Sequence, residues 1–242
     1  MDAFFYFYLL GMNYCMKYFL IAFITFFSIQ SLSAQDFDNA KELDSLYRED
    51  QIYLSVAYNI LNNRLRDVSQ NGFSSGFHLG FIRDFPVNTK RNVALGIGLG
   101  LSSSSFNQNL KISETNGEFT YVVLDGGFDK NKFTLYQIEM PFEFRWRTST
   151  AEIYNFWRIY TGFKMGYVFS STAKFASSEE SYKLNINEVV NRFQYGLTLS
   201  LGYDSWNLHL YYALNDIFKN QSLNNNPIEL SVIKAGLIFY IL

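Results

Sequence analysis

Two histidines and a handful of alternating charges are the residues of this chain best equipped for chemistry. His78 and His209 have side chains that serve elsewhere as general bases or metal ligands. Neither has a convergent carboxylate near it in sequence, so both read as satisfied interior histidines, and no metal or cofactor is expected. The acids Glu114, Asp125 and Asp129 fall in a loop and read as solvated. Asp125-Gly126-Gly127 lacks the regular oxygen spacing of a calcium loop. The glycines of Gly96-Ile97-Gly98-Leu99-Gly100 lie inside a strand pattern and open no helix, which excludes a phosphate-binding loop. The charges that remain are Glu139, Glu143 and Arg145 on one segment, Arg158 and Lys164 on the next, and Lys234 near the end. Paired to one another they would form an ion network; in an open passage they would form a charged constriction that selects solutes.

The segments that carry these charges have a strong period of two. In LYQIEMPFEFRWR, residues 135–147, Tyr136, Ile138, Met140, Phe142, Phe144 and Trp146 fill every even position. Gln137, Glu139, Glu143, Arg145 and Arg147 stand between them, with Pro141. Seven more segments alternate in the same way, beginning near Gln51, Phe73, Asn92, Phe156, Phe193, Trp206 and Ile228. Their apolar faces end in Trp, Tyr and Phe, while their polar faces are mostly Gly, Ser, Ala and Thr. A soluble sandwich would turn the apolar faces inward. Small residues fit the inside of a narrow barrel, and aromatics at strand ends fit a lipid interface. The reading is therefore all-β: an antiparallel transmembrane up-and-down β-barrel of eight strands, oily face outward and charges in the lumen. Each segment is long enough to cross a bilayer as a tilted strand, for which about 9–11 residues suffice.

Connections after the second, fourth and sixth strands are short: DFPVNTKRN, TSTAEIYN and Asp204-Ser205. The others are mostly longer, the longest covering residues 103–132. Alternating short turns and long loops require an even strand count and place both termini in the periplasm. Asn116-Gly117 is a hairpin signal. Residues 107–124 read as the third and fourth strands extended above the membrane, with a ten-stranded barrel as the alternative. Pro141 in mid-strand calls for a bulge or a missing ladder bond.

The chain has 242 residues, 19% of them aromatic, and a formal net charge of −2 with mixed signs, which gives no reason to expect a nucleic-acid partner. Residues 1–34 read as a signal peptide, with Lys17, an apolar stretch Phe19 to Ile29, and a Ser-Leu-Ser-Ala cleavage zone. Residues 1–15 read as a misassigned start, the alternative being an uncleaved membrane anchor. Cys15, the only cysteine, precedes Met16, so the mature chain is expected to carry no thiol. Residues 35–50 form an acidic periplasmic lead-in, and 51–242 the barrel.

Several stretches carry a resemblance. SLSAQ, DSLYREDQIYL, GFIRDFP, PFEFRWRTST, FWRIYTGFKMGYVF and the ending GLIFYIL resemble the PorT-like outer-membrane β-barrel proteins of Bacteroidetes. The likeness covers most of residues 45–242 and is one of barrel-strand texture. It implies a porin-family protein of the cell outer membrane related to a component of type IX protein secretion, and it supplies no catalytic residues. Three functions are expected in this order: a small plugged barrel acting as a structural or accessory protein, a porin-like solute channel, and an outer-membrane barrel enzyme. The expected partners are outer-membrane lipid and secretion-machinery or other outer-membrane proteins.

Overall fold

The computed structural model describes residues 50–148 and 157–241. The signal peptide, nearly all of the acidic lead-in and most of the connection 148–155 lie outside the described residues. Eight long strands form the wall: β1 (Gln51–Asn62), β2 (Ser75–Pro86), β3 (Val93–Asn107), β6 (Lys130–Arg147), β7 (Trp157–Ala176), β9 (Phe193–Tyr203), β10 (Trp206–Ala213) and β13 (Ser231–Ile241). The rest belong to the long loops: β4 (Leu110–Thr115), β5 (Glu118–Val123), β8 (Ser181–Asn185), β11 (Ser222–Leu223) and β12 (Asn226–Pro227). Every pairing is antiparallel. The strands follow the order β6-β3-β2-β1-β13-β10-β9-β7, and β7 pairs back to β6. The barrel is closed with eight strands, and the seam joins the first strand to the last from Ile52↔Ile241 to Asn62↔Ser231.

Burial repeats the sequence period. On β1, Gln51, Tyr53, Ser55 and Ala57 are buried while Ile52, Leu54 and Val56 are exposed. On β3, Leu99 and Leu101 are 59% and 57% exposed. A continuous outer belt of Leu, Ile, Phe and Met would be heavily penalised in water and is stable against lipid. Aromatic pairs bound it. Trp157–Tyr203 and Trp206–Phe239, with centroids 5.3 and 5.2 Å apart, mark the short-turn end. Tyr136–Phe169 and Tyr167–Phe193, at 6.4 and 5.3 Å, mark the long-loop end.

Two sequence expectations change and a third is met. First, Asp84 lies inside β2, where it was expected to begin the turn DFPVNTKRN. Second, β3 and β6 do extend beyond the girdle, to Asn107 and from Lys130, yet residues 110–123 form a separate two-stranded sheet. Its turn is Asn116-Gly117, both at positive φ as a tight hairpin requires. The hairpin adds no strand to the barrel, so the ten-stranded alternative falls. Third, Pro141 faces the lumen and interrupts the β3–β6 ladder, whose pairing stops at Ile97↔Phe142 and resumes at Gly100↔Glu139. The missing ladder bond is there; the register shift of β6 against β7 is at Tyr136/Gln137.

Candidate functional site, a filled lumen

The inward face of β6 is the spine of the polar interior. Its odd positions are held by the pleat on one side, so Glu139, Glu143, Arg145 and Arg147 enter the lumen in a row. At the short-turn end Asp84 answers two of them. Arg147 grips it with two bonds, Nη1–Oδ1 at 2.9 Å and Nη2–Oδ2 at 2.8 Å, and Arg145 Nη1 reaches Oδ1 at 3.1 Å. All three side chains are fully buried. Arg145 Nε also donates to Glu143 Oε2 at 3.0 Å, and Arg147 Nε to the Arg91 carbonyl at 3.0 Å. The Arg145 guanidinium lies 4.8 Å from the Tyr160 ring and 5.8 Å from that of Tyr240. Arg158 sits 5.9 Å from the Tyr240 ring. Charges so far from water persist when the other member of each pair is in place with good geometry.

Further along the axis lies a second group. His78 Nδ1 meets both oxygens of Glu139, at 3.0 and 2.9 Å. Lys164 Nζ stands 3.5 Å from the same carboxylate. Lys234 donates to Ser104 Oγ at 2.9 Å and lies over the Tyr211 ring at 5.2 Å. A line of polar contacts leads away from the first group: Tyr240 Oη to Glu143 Oε1 at 3.5 Å, Ser200 Oγ to Tyr240 Oη at 3.4 Å, and His209 Nδ1 to Ser200 Oγ at 2.8 Å. Glycines make room for these side chains. A Cβ at Gly96 would come within 2.7 Å of Arg145 Nε, and one at Gly80 within 2.6 Å of the Tyr53 ring.

The long-loop half of the lumen is apolar. Phe106 of β3 stacks on Phe133 of β6 at 4.7 Å, and Phe218, from the loop after β10, packs edge-on to Phe133 at 5.4 Å. Tyr121 of β5 meets Phe218 at 6.1 Å. Leu110, Ile112, Ile186, Val190, Ile217 and Leu230 complete a dry core, each no more than 2% exposed. Amide side chains absorb the backbone polarity of the loops that enter it. Asn109 accepts from Ser69 N at 2.7 Å and donates to the carbonyls of Asp67 and Leu124. Asn191 donates to the carbonyls of Asp216 and Phe218. From above, the β4–β5 hairpin is pinned by the Lys111–Glu180 ion pair and by Tyr182 Oη donating to the Ile112 carbonyl at 3.0 Å. That bond to Glu180 holds the Lys111 ammonium above the ordinary lysine range. Where the polar and apolar halves meet, Ser104, Gln137, Tyr211 and Lys234 enclose a cavity of about 10 Å³, at the margin of room for one water.

The six lumen residues singled out in the sequence all project inward and are buried. The geometry pairs Glu139 with Lys164 and Glu143 with Arg145, the latter along one strand. Lys234 takes a serine, and Arg158 faces Tyr240. Asp84 was missed because a DFP sequence reads as a turn. Its signal was the odd–even count of β2, which puts Asp84 on the same face as His78. The apolar cap was missed because its residues are scattered over four loops. Ser200 and His209 stand at the distance of a nucleophile and its base. They are buried at 2% and 3%, and the His209 Nε2 atom has no hydrogen-bond partner among the described residues to orient the ring. Among the described residues no three His, Cys, Asp or Glu side chains gather as a metal site.

Residues 33–219 match the family model for the outer membrane protein beta-barrel domain. The chain belongs to this family. Membership and the lipid-facing belt together place the barrel in the outer membrane. Two solved structures of Ail, the attachment invasion locus protein of Yersinia pestis, are similar over 79% of this chain and 99% of theirs. One is 16% identical with a TM-score of 0.33. The other, in complex with the heparin analogue sucrose octasulfate, is 18% identical with a TM-score of 0.34. No curated protein matches the chain.

Proposed function

We propose that this outer-membrane barrel is a closed scaffold that works through its loop end and its rim, as an accessory protein without catalytic activity. The observation that carries the reading is the double filling of the lumen. Buried ion pairs occupy the short-turn half and a dry apolar core the long-loop half. In this reading the long loops face outward, the short turns and both termini lie in the periplasm, and residues 1–34 are removed on export. Partners are outer-membrane lipid and other outer-membrane or secretion-machinery proteins, with no role for nucleic acid. The resemblance of PFEFRWRTST and FWRIYTGFKMGYVF to PorT-like sequences supports an accessory role in type IX secretion. The lumen charges are then structural, and selection of solutes is the competing reading. Among the described residues, three buried carboxylates, Asp84, Glu139 and Glu143, share the lumen with five buried cations, Arg145, Arg147, Arg158, Lys164 and Lys234.

Planar-bilayer recording tests closure. The wild-type protein is expected to stay silent at high salt, and reproducible conductance steps would put the channel reading first. Comparing the culture medium of deletion and parent cells by proteomics tests the secretion role; an unchanged set of secreted proteins would remove it.

A further inference from the structure

Above the upper aromatic girdle the wall carries its longest strands on one side. β3, β6 and β7 have 15, 18 and 20 residues, against 8 in β10. β8 extends this wall by pairing with the top of β7. Register alone fixes what its outer face carries. Tyr136 pairs with Ser103 and Ser170; the next outward row is Ser105, Thr134, Thr172 and Asn185. The row beyond that is Asn107↔Lys132, Lys132↔Lys174 and Lys174↔Lys183, with Lys130 one step further. The outward face therefore passes from aromatic to hydroxyl and amide to lysine in three steps.

Three lysines directly opposite one another on adjacent strands repel and weaken the sheet. Nothing in the wall offsets this: among the described residues none of Lys130, Lys132, Lys174 and Lys183 enters an ion pair. The nearby Glu180 is engaged with Lys111 on the hairpin. Lys132 lies beyond Tyr136 by about 13 Å along the strand, or roughly 10 Å along the axis at the usual tilt. Interfacial aromatics sit at the headgroup level, so the lysines stand at its outer edge and reach a headgroup phosphate through their long, flexible side chains. Juxtamembrane lysines are held to anionic lipid by electrostatic attraction.

We propose that the row Lys132–Lys174–Lys183, with Thr172 and Asn185 beneath it, is a binding site for the phosphate groups of a phosphorylated outer-leaflet glycolipid. The lysines neutralise the phosphate, and Thr172 and Asn185 below donate to its oxygens. The site rests on the long loops facing outward, as proposed above, and commits to a bilayer lipid in preference to a soluble anion. It also gives the tall wall a purpose, because here three neighbouring strands, β3, β6 and β7, run on past the aromatic girdle.

The test is native mass spectrometry of the purified full-length protein in detergent, titrated with diphosphoryl lipid A. The expected result is binding weakened about ten-fold or more in the K132Q/K174Q/K183Q variant, with the difference erased when dephosphorylated lipid A is the probe. Heat-modifiable gel migration checks that the variant is a folded barrel. A second readout needs no ligand: relief of repulsion should leave the variant at least as stable as wild type in detergent alone. Equal affinity of variant and wild type would overturn the site. Inorganic phosphate or phosphatidylglycerol competing as well as diphosphoryl lipid A would overturn the assignment to an outer-leaflet glycolipid. Orientation is read separately by maleimide labelling of a Lys174→Cys variant on intact cells. Labelling only after lysis would overturn the outer-leaflet location whatever the lipid titration shows.

Discussion

The two halves of the lumen are closed by opposite means. At the short-turn end the fillers are wall residues whose positions are set by strand register, and they are held by charge: Asp84 with Arg145 and Arg147, Glu139 with His78 and Lys164. At the long-loop end the fillers come largely from loops and are held by shape: Phe106, Phe133, Phe218 and the aliphatic residues around them. Register places a side chain to within a fraction of an ångström, which a bidentate salt bridge needs. Loops place side chains less rigidly, and packing among apolar groups tolerates more adjustment. The difference predicts distinct failures. Loss of one ionic partner strands the others without water, whereas loss of apolar volume weakens the cap in proportion to what is removed.

The sharpest way to break this contrast is Asp84→Ala. It removes the carboxylate that Arg145 and Arg147 share, and removing one member of a buried pair costs about 3–5 kcal/mol. Urea titration of folding in lipid vesicles reads it; a loss below about 1 kcal/mol would mean the guanidiniums find other acceptors. Next in size, Phe133→Ala should cost about 3–4 kcal/mol in the same assay. Phe133→Leu should cost about 1 kcal/mol, and equal losses from the two would deny the graded behaviour expected of the cap. The smallest effect belongs to Lys111→Met, since partly exposed ion pairs contribute less than about 1 kcal/mol. Here the useful readout is proteolysis between β4 and β5, expected to quicken while global stability hardly changes. In bilayers, cutting Arg158 and Glu143 together to Ala should still give no conductance, because the cap is untouched; open channels from that variant would show that the cap does not seal.

Most of the wall was legible in the sequence, for a physical reason. A strand with lipid on one side and a crowded lumen on the other has little freedom, so Tyr136 to Trp146 and Val93 to Leu101 announce both faces. The inward direction of Glu139, Glu143, Arg145, Arg158, Lys164 and Lys234 came from the same parity. Their partners did not. Parity fixes a side but not a height, so the pairing of Asp84 with Arg147, from strands separated by β3, needed the closed barrel. The cap was hidden for the opposite reason: Leu110, Ile186 and Ile217 obey no period, and their burial depends on four loops converging.

The seam between β1 and β13 has a consequence for how the protein is made. Ile52 meets Ile241, so the pairing that shuts the barrel joins the two ends of the folded chain. Until β13 arrives, both β1 and β10 present open edges, and the lumen pairs have no sealed surroundings. Such distant contacts come slowly, because the entropy of bringing chain ends together is lost before any bond repays it. The eleven residues of β13 therefore act as a latch on the whole assembly, and a chain that lacks them is a curved sheet with two sticky edges rather than a smaller barrel.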